Sequence, residues 1–141
     1  MGNLALARFV TSGEGAEFRV THAADPVPRL PPLVLGFAHT SPEYWLRDDS
    51  SSLSPAAVGT GDVKVCEGHF AIGCNAGTLG FDPAAHTQYF GPITGCGGGE
   101  GTPWRRRRAG EEDLSDVELE ALVNAWAEKD VEFAKALEQT A

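Results

Sequence analysis

Four histidines, three cysteines and seven serines hold most of the chemistry open to this chain. A histidine set against a carboxylate can serve as general base toward a hydroxyl nucleophile, the carboxylate fixing the ring tautomer. Asp25 and His86 could form such a pair, but lone Asp and His residues are common, and residue type alone does not select these two. The usual nucleophile for that chemistry is a serine on a G-x-S-x-G turn. The residues two before Ser12, Ser41, Ser50, Ser51, Ser52, Ser54 and Ser115 are Val10, His39, Asp48, Asp49, Ser50, Ser52 and Asp113, none of them glycine. His69 falls between Cys66 and Cys74 in a C-x-x-H-x-x-x-x-C pattern with the flavour of a zinc knuckle. A structural zinc takes four ligands, so His86 or Cys96 would have to join, and no metal is expected. A cysteine nucleophile facing His86 finds no support in the spacing. His22 and His39 read as polar residues satisfied near the core.

The elements that would position these residues are short. Met1 to Thr11 carries Leu4, Leu6, Phe9 and Val10 among alanines and reads as a helix, broken at Ser12–Gly15. Phe18 to Thr21 is rich in strand formers. Asp25 opens a rigid loop with Pro26, Pro28, Pro31 and Pro32, because proline fixes φ and cannot donate to a sheet ladder. Leu33 to Leu46 alternates weakly and predicts a strand or hairpin. Asp48 to Thr60 reads as a polar surface loop, Val63 to Val65 as a short strand, and His86 sits in a loop beyond the small residues of Ala71–Gly80. Gly95 to Gly101 reads as a linker. A capping box of Ser115 and Glu118 then opens an amphipathic helix, with Leu119, Leu122, Val123, Trp126, Phe133 and Leu137 at helical spacing. This helix is expected to fold back on the core, with a role in binding a partner as the alternative.

Composition narrows the partners. The 141 residues suffice for one domain with a core. Twenty acidic against 11 basic side chains give a net charge of −9, which repels phosphate backbones and anionic membranes. No nucleic acid is expected. The basic run Arg105–Arg108 is followed at once by Glu111, Glu112 and Asp113, and reads as a solvated linker. No apolar run approaches the roughly 20 residues of a membrane span, and MGNLALARFVTSGEG lacks the pattern of a signal peptide.

Two segments carry a family resemblance. FRVTHAADPVPRLPPLVLGFAHTSPEYWL, Phe18 to Leu46, and AHTQYFGPITGC, Ala85 to Cys96, resemble the C-terminal half of the secreted fungal lipases, class 3, which include feruloyl-esterase relatives. In that family R-[VI]-T-H-x-x-D holds the triad aspartate and A-H-x-x-Y-F-G the triad histidine. The resemblance therefore implies Asp25 and His86 as catalytic residues. The chain departs from the family's T-H-x-N-D-I-V-P-R-L-P-P in having Ala24 for asparagine and Pro26 after the aspartate, losing a polar side chain and a backbone N–H beside Asp25.

The resemblance implies an α/β chain: the C-terminal half of an α/β-hydrolase fold with an added C-terminal helix. Residues 1–97 would be the lipase part, 98–112 a Gly/Arg-rich linker and 113–141 the helix. Such domains run roughly 200 to 250 residues or more, so the expectation is a chain that begins partway through the fold. The nucleophilic serine and the oxyanion hole would then be encoded before Met1. The implied activity is serine-dependent hydrolysis of lipid esters, inactive in this chain alone. VPRLPP and SPEYW lean toward triacylglycerol lipases over feruloyl esterases. The rival is a non-catalytic lipase-like protein or interaction module. No cofactor is implied. The substrate would be a lipid ester met at an interface rather than through a membrane span, and the location extracellular. The missing half or a partner would cover an open sheet edge. A Cys66–Cys74 disulfide closing a small loop fits a secreted family. Cys96 would be unpaired, since its family partner lies near the mature N-terminus.

Overall fold

The computed structural model describes residues 2–13, 17–47, 62–90 and 114–139. The expected loop over 48–60, the linker and the unpaired Cys96 lie outside these residues.

Helix α1, Leu4–Thr11, starts where Asn3 Oδ1 accepts the N–H of Leu6 at 2.9 Å, a cap worth about 1 kcal/mol. It ends at Ser12, whose N–H returns to Arg8 O. Only Ala7 of the helix is buried, while Phe9 stays 75% exposed. Gly2 and Ala38 form an isolated antiparallel bridge that ties the helix start to the segment before β2.

Among the described residues the sheet has three strands in the order β1–β2–β3. Strand β1, Arg19–His22, runs parallel to β2, Glu43–Leu46, with Arg19 opposite Glu43 and His22 opposite Leu46. Strand β3, Val63–Cys66, is antiparallel to β2, with Glu43 opposite Cys66. The β1 strand lies one residue later than its composition predicts.

The stretch from Leu33 to Leu46 corrects the sequence reading. The strand it predicts is present only at Glu43–Leu46; Leu33–Leu35, like Val27–Arg29 in the expected proline loop, is a single 3₁₀ turn. Pro42 offers no N–H just before β2, and the N–H groups of Leu33 and Val34 are taken by the Asp130 carboxylate rather than by a ladder. The second turn closes at Gly36, whose φ of +85° suits a residue without a side chain.

Helix α2, Asp116–Gln139, opens with the expected capping box. Ser115 Oγ accepts the Glu118 N–H, and the Ser115 N–H donates to Glu118 Oε2 at 2.8 Å. That N–H, and then the Ser115 hydroxyl 2.7 Å from the same Oε2, hold the Glu118 carboxylate below its usual range. The helix does fold back on the rest of the chain, but its buried seam is Val123, Ala127, Asp130 and Ala134. Of the apolar set read from the sequence only Val123 is fully buried, and Leu137 is exposed. Small residues let the helix backbone approach closely enough for Asp130 to reach across. Its carboxylate accepts the N–H groups of Leu33 and Val34 at 2.9 and 2.8 Å. Burial pushes the Asp130 carboxyl up, and those two N–H bonds pull the other way. Phe70 meets Phe133 edge-on at 5.9 Å, which closes the far end of the seam.

The interior between sheet and loops is partly polar. Leu33, Leu46 and Ala38 are buried alongside Thr21, His22, Asp25, Arg29, His39, Glu43 and Asn75. Such groups must be hydrogen-bonded to be tolerated, and most are. Glu43 pairs with Arg19 and accepts the Thr21 hydroxyl at 2.6 Å. His39 differs from expectation: neither ring nitrogen has a partner among the described residues. Burial, with the Arg19 charge adding to it, lowers its pKa to about 3, so the ring is neutral. Among the described residues no helix is long and apolar enough to cross a membrane.

Candidate active site

Two loops that are distant in sequence meet beyond the end of β1. The first begins where the strand stops. Ala23 turns with φ +40°, in the left-handed region that a residue with a Cβ seldom enters. Its N–H still bonds to Leu46 O at 2.8 Å, and the Asp25 N–H closes the turn on His22 O at 2.9 Å. The Asp25 side chain ends up fully buried. Its Oδ1 accepts the Val27 N–H at 2.9 Å. Pro26 can offer no N–H, and the next residue supplies the donor instead.

The second loop is built around Asp82. Its Oδ1 accepts the N–H groups of Ala84 and Ala85 at 3.0 and 3.2 Å, which seeds the 3₁₀ turn Ala85–Thr87. His86 rides on that turn. The Asp82 backbone N–H donates to Ala24 O at 3.1 Å, so one residue holds both loops. His22 Nδ1 adds a bond to Ala85 O at 3.2 Å.

The geometry brings Asp25 and His86 together. His86 Nδ1 lies 3.0 Å from Asp25 Oδ2. The carboxylate side chain is fully buried and the imidazole 49% exposed. An acceptor facing Nδ1 places the proton there and leaves Nε2 with a free lone pair. A buried acceptor orienting a half-exposed imidazole is what a general base requires.

Tyr89 is a third member that residue types alone did not select. Its hydroxyl donates to the same Asp25 Oδ2 at 2.5 Å. Burial first, then the bond and charge of Asp25, push its pKa well above the ordinary tyrosine value, so it remains a donor. Hydrogen bonds to a charged group contribute about 1.5–3 kcal/mol each, and Asp25 receives three. Tyr89 stands three residues after His86 in AHTQYFG, a spacing that a turn brings back toward the same acceptor.

Arg29 supports the loop from within. Its guanidinium donates to Thr78 O, Ala24 O and Gly80 O at 2.8, 3.0 and 2.7 Å. Burial lowers its pKa while the Asp25 charge opposes that shift. Helix α2 braces the same place through Asn124 Oδ1, which accepts the Gly80 N–H at 2.9 Å.

Cys66 and Cys74 form a disulfide with Cα atoms 6.1 Å apart. Both sulfurs are thereby taken, and the zinc pattern loses its ligands. His69 instead bonds through Nδ1 to His39 O at 2.8 Å. Neither Asp25 nor His86 lines the open groove of about 450 Å³ between Arg19, Val27, Pro28, Leu30, Pro31 and Thr40.

No protein-family profile matches the chain. Relatives are nonetheless found. The secreted mono- and diacylglycerol lipase 1 of Fusarium solani is 44% identical over 137 residues, 97% of this chain and 38% of that protein. The secreted mono- and diacylglycerol lipase A of Penicillium cyclopium is 43% identical over 109 residues, 75% of this chain and 34% of that one. A crystal structure of the mono- and diacylglycerol lipase from Aspergillus oryzae superposes with a TM-score of 0.55 at 35% identity, over 64% of this chain and 34% of the other. The chain thus spans about a third of the length of the curated relatives it matches.

Proposed function

This chain belongs to the fungal lipase family, and from that premise we propose that Asp25 is the orienting carboxylate and His86 the general base of a serine ester hydrolase acting on acylglycerols. The chain is read as the C-terminal half of an α/β-hydrolase fold, over residues 1–97, joined through 98–112 to the helical extension. The observation that carries the reading is the bond between His86 Nδ1 and the buried Asp25 carboxylate.

In the proposed cycle Asp25 holds the imidazole with its proton on Nδ1. Nε2 of His86 takes the proton of a serine hydroxyl as that oxygen attacks the ester carbonyl. It then returns the proton to the leaving alcohol. Water repeats the two transfers and releases the fatty acid. The serine belongs on a G-x-S-x-G turn and the oxyanion donors lie beside it and on an early loop. These 141 residues hold no G-x-S-x-G, so the full cycle is proposed for the assembled lipase fold. The extracellular setting follows from the same reading.

The test is a chimera in which this chain replaces the matching segment of the Penicillium cyclopium lipase. It should hydrolyse a monoacylglycerol, and His86→Ala should lower kcat/KM by ~10⁴-fold or more. A folded chimera without activity, or one indifferent to His86→Ala, would overturn the assignment.

A further inference from the structure

We infer that Asn75 is a positioning residue for the Asp25–His86 pair, acting by gripping the backbone on both sides of the turn that presents Asp25. The kinetic consequence rests on the ester-hydrolase reading; the geometry does not.

The turn has an accounting problem that strand pairing cannot solve. Beyond β1 the carbonyls of Ala23, Ala24 and Asp25 follow one another into the interior, and a buried carbonyl needs a donor. Ala23 also sits at φ +40°. A conformation that sparsely populated persists only where the surroundings over-determine it.

Side chains supply what the sheet does not. Ala23 O accepts from Trp45 Nε1 at 3.0 Å and from Asn75 Nδ2 at 3.1 Å. Ala24 O accepts from Arg29 Nη2 at 3.0 Å and from the Asp82 N–H. Asp25 O accepts from Asn75 Nδ2 at 3.1 Å. Asn75 is therefore the side chain that bridges the carbonyl of the left-handed residue and that of Asp25 itself. A carboxamide NH₂ has two hydrogens, and two carbonyls use them. The reverse amide orientation would set three oxygens against one another.

Asn75 can impose this position because it is itself fixed from outside the loop. It is fully buried. Its N–H donates to Glu43 Oε1 at 3.2 Å, on the central strand. Its neighbour Cys74 is bonded to Cys66 at the end of β3. Arg29, by contrast, belongs to the proline loop that it stabilises. Asn75 links the Asp25 turn to β2 directly and to β3 through the disulfide.

The first test needs no activity. In the 141-residue chain the proton on His86 Nδ1, held by Asp25, should give a far-downfield imidazole N–H resonance that His86→Ala removes. Asn75→Ala should displace or broaden that resonance while the dispersed amide spectrum of the fold persists. An unmoved resonance in Asn75→Ala would overturn the proposal. A wild-type chain without the resonance would also overturn it, since there would be no Asp25–His86 bond to position.

The second test is a double-mutant cycle in the lipase chimera. Asn75→Ala should lower kcat about ten- to a hundredfold with KM unchanged, the scale of a small misplacement of a reacting group. On an Asp25→Ala background the same substitution should cost almost nothing more, because it acts through Asp25. Equal losses on both backgrounds would mark Asn75 as merely structural. Should Asn75→Ala fail to fold, Trp45→Phe removes one of the two donors on Ala23 O and should show the same non-additivity at smaller size. Full additivity there would sink the inference. Activity surviving His86→Ala would refute the ester-hydrolase reading alone and leave the resonance test standing.

Discussion

The acid loop and the base loop of the candidate site are held in opposite ways. Asp25 is fully buried, and its turn is gripped by Trp45, Arg29 and Asn75, three side chains from different parts of the chain. His86 is half exposed and rests on a single 3₁₀ turn capped by its near neighbour Asp82. The buried partner is over-determined; the exposed partner is held by its bond to Asp25, by the Asp82 turn and by the His22 bond to Ala85 O. A base that must move protons needs an open face, while the group that orients it needs none. The division follows from those requirements.

Three substitutions sharpen this contrast. Asp25→Asn keeps the shape of the fixed side but replaces the acceptor facing His86 Nδ1 with an amide. It should lower kcat/KM of the chimera by ~10⁴-fold, as in the serine-protease template. A loss below about tenfold would assign the orienting role to another carboxylate. Tyr89→Phe leaves Asp25 Oδ2 with the imidazole as its one remaining side-chain donor among the described residues. Losing a hydrogen bond to a charged group should cost ~10-fold or somewhat more in kcat. An unchanged rate in Tyr89→Phe would show that the fixed side does not need it.

The third substitution reads stability rather than rate. His39 lies on the buried side, and its folded pKa of about 3 is below the unfolded value of 6.5. The unfolded chain therefore binds a proton that the folded chain refuses. The contribution of His39 is complete above pH 6.5 and is lost as pH falls toward 3, at up to ~1.4 kcal/mol per pH unit. His39→Gln should flatten that part of a denaturation-against-pH curve. An identical slope in the variant would mean that other groups set the acid limit.

Much of this arrangement could be read from the chain before its fold was known, and the gaps have physical causes. The pairing of Asp25 with His86 was legible through RVTHAAD and AHTQYFG, because both motifs keep their spacing. The α2 cap was legible because Ser115 and Glu118 interact locally. The strand or hairpin read over Leu33–Leu46 is strand only at Glu43–Leu46, since the turn at its start depends on Asp130, 97 residues away from Leu33. The α2 seam was hidden for a related reason: a helix that docks through a carboxylate buries alanines, and periodicity searches reward large apolar residues. Asn75 gave no signal at all, because its partners are backbone carbonyls, which look the same in every sequence.

Asp82 is used twice. Its side chain shapes the turn under His86, and its backbone fastens that turn to Ala24 beside Asp25. The register between the two loops is thus set at a clasp, not by the 61 positions that separate Asp25 from His86 along the chain. Losing that one aspartate would therefore loosen the His86 turn and unfasten it from Ala24 in a single step.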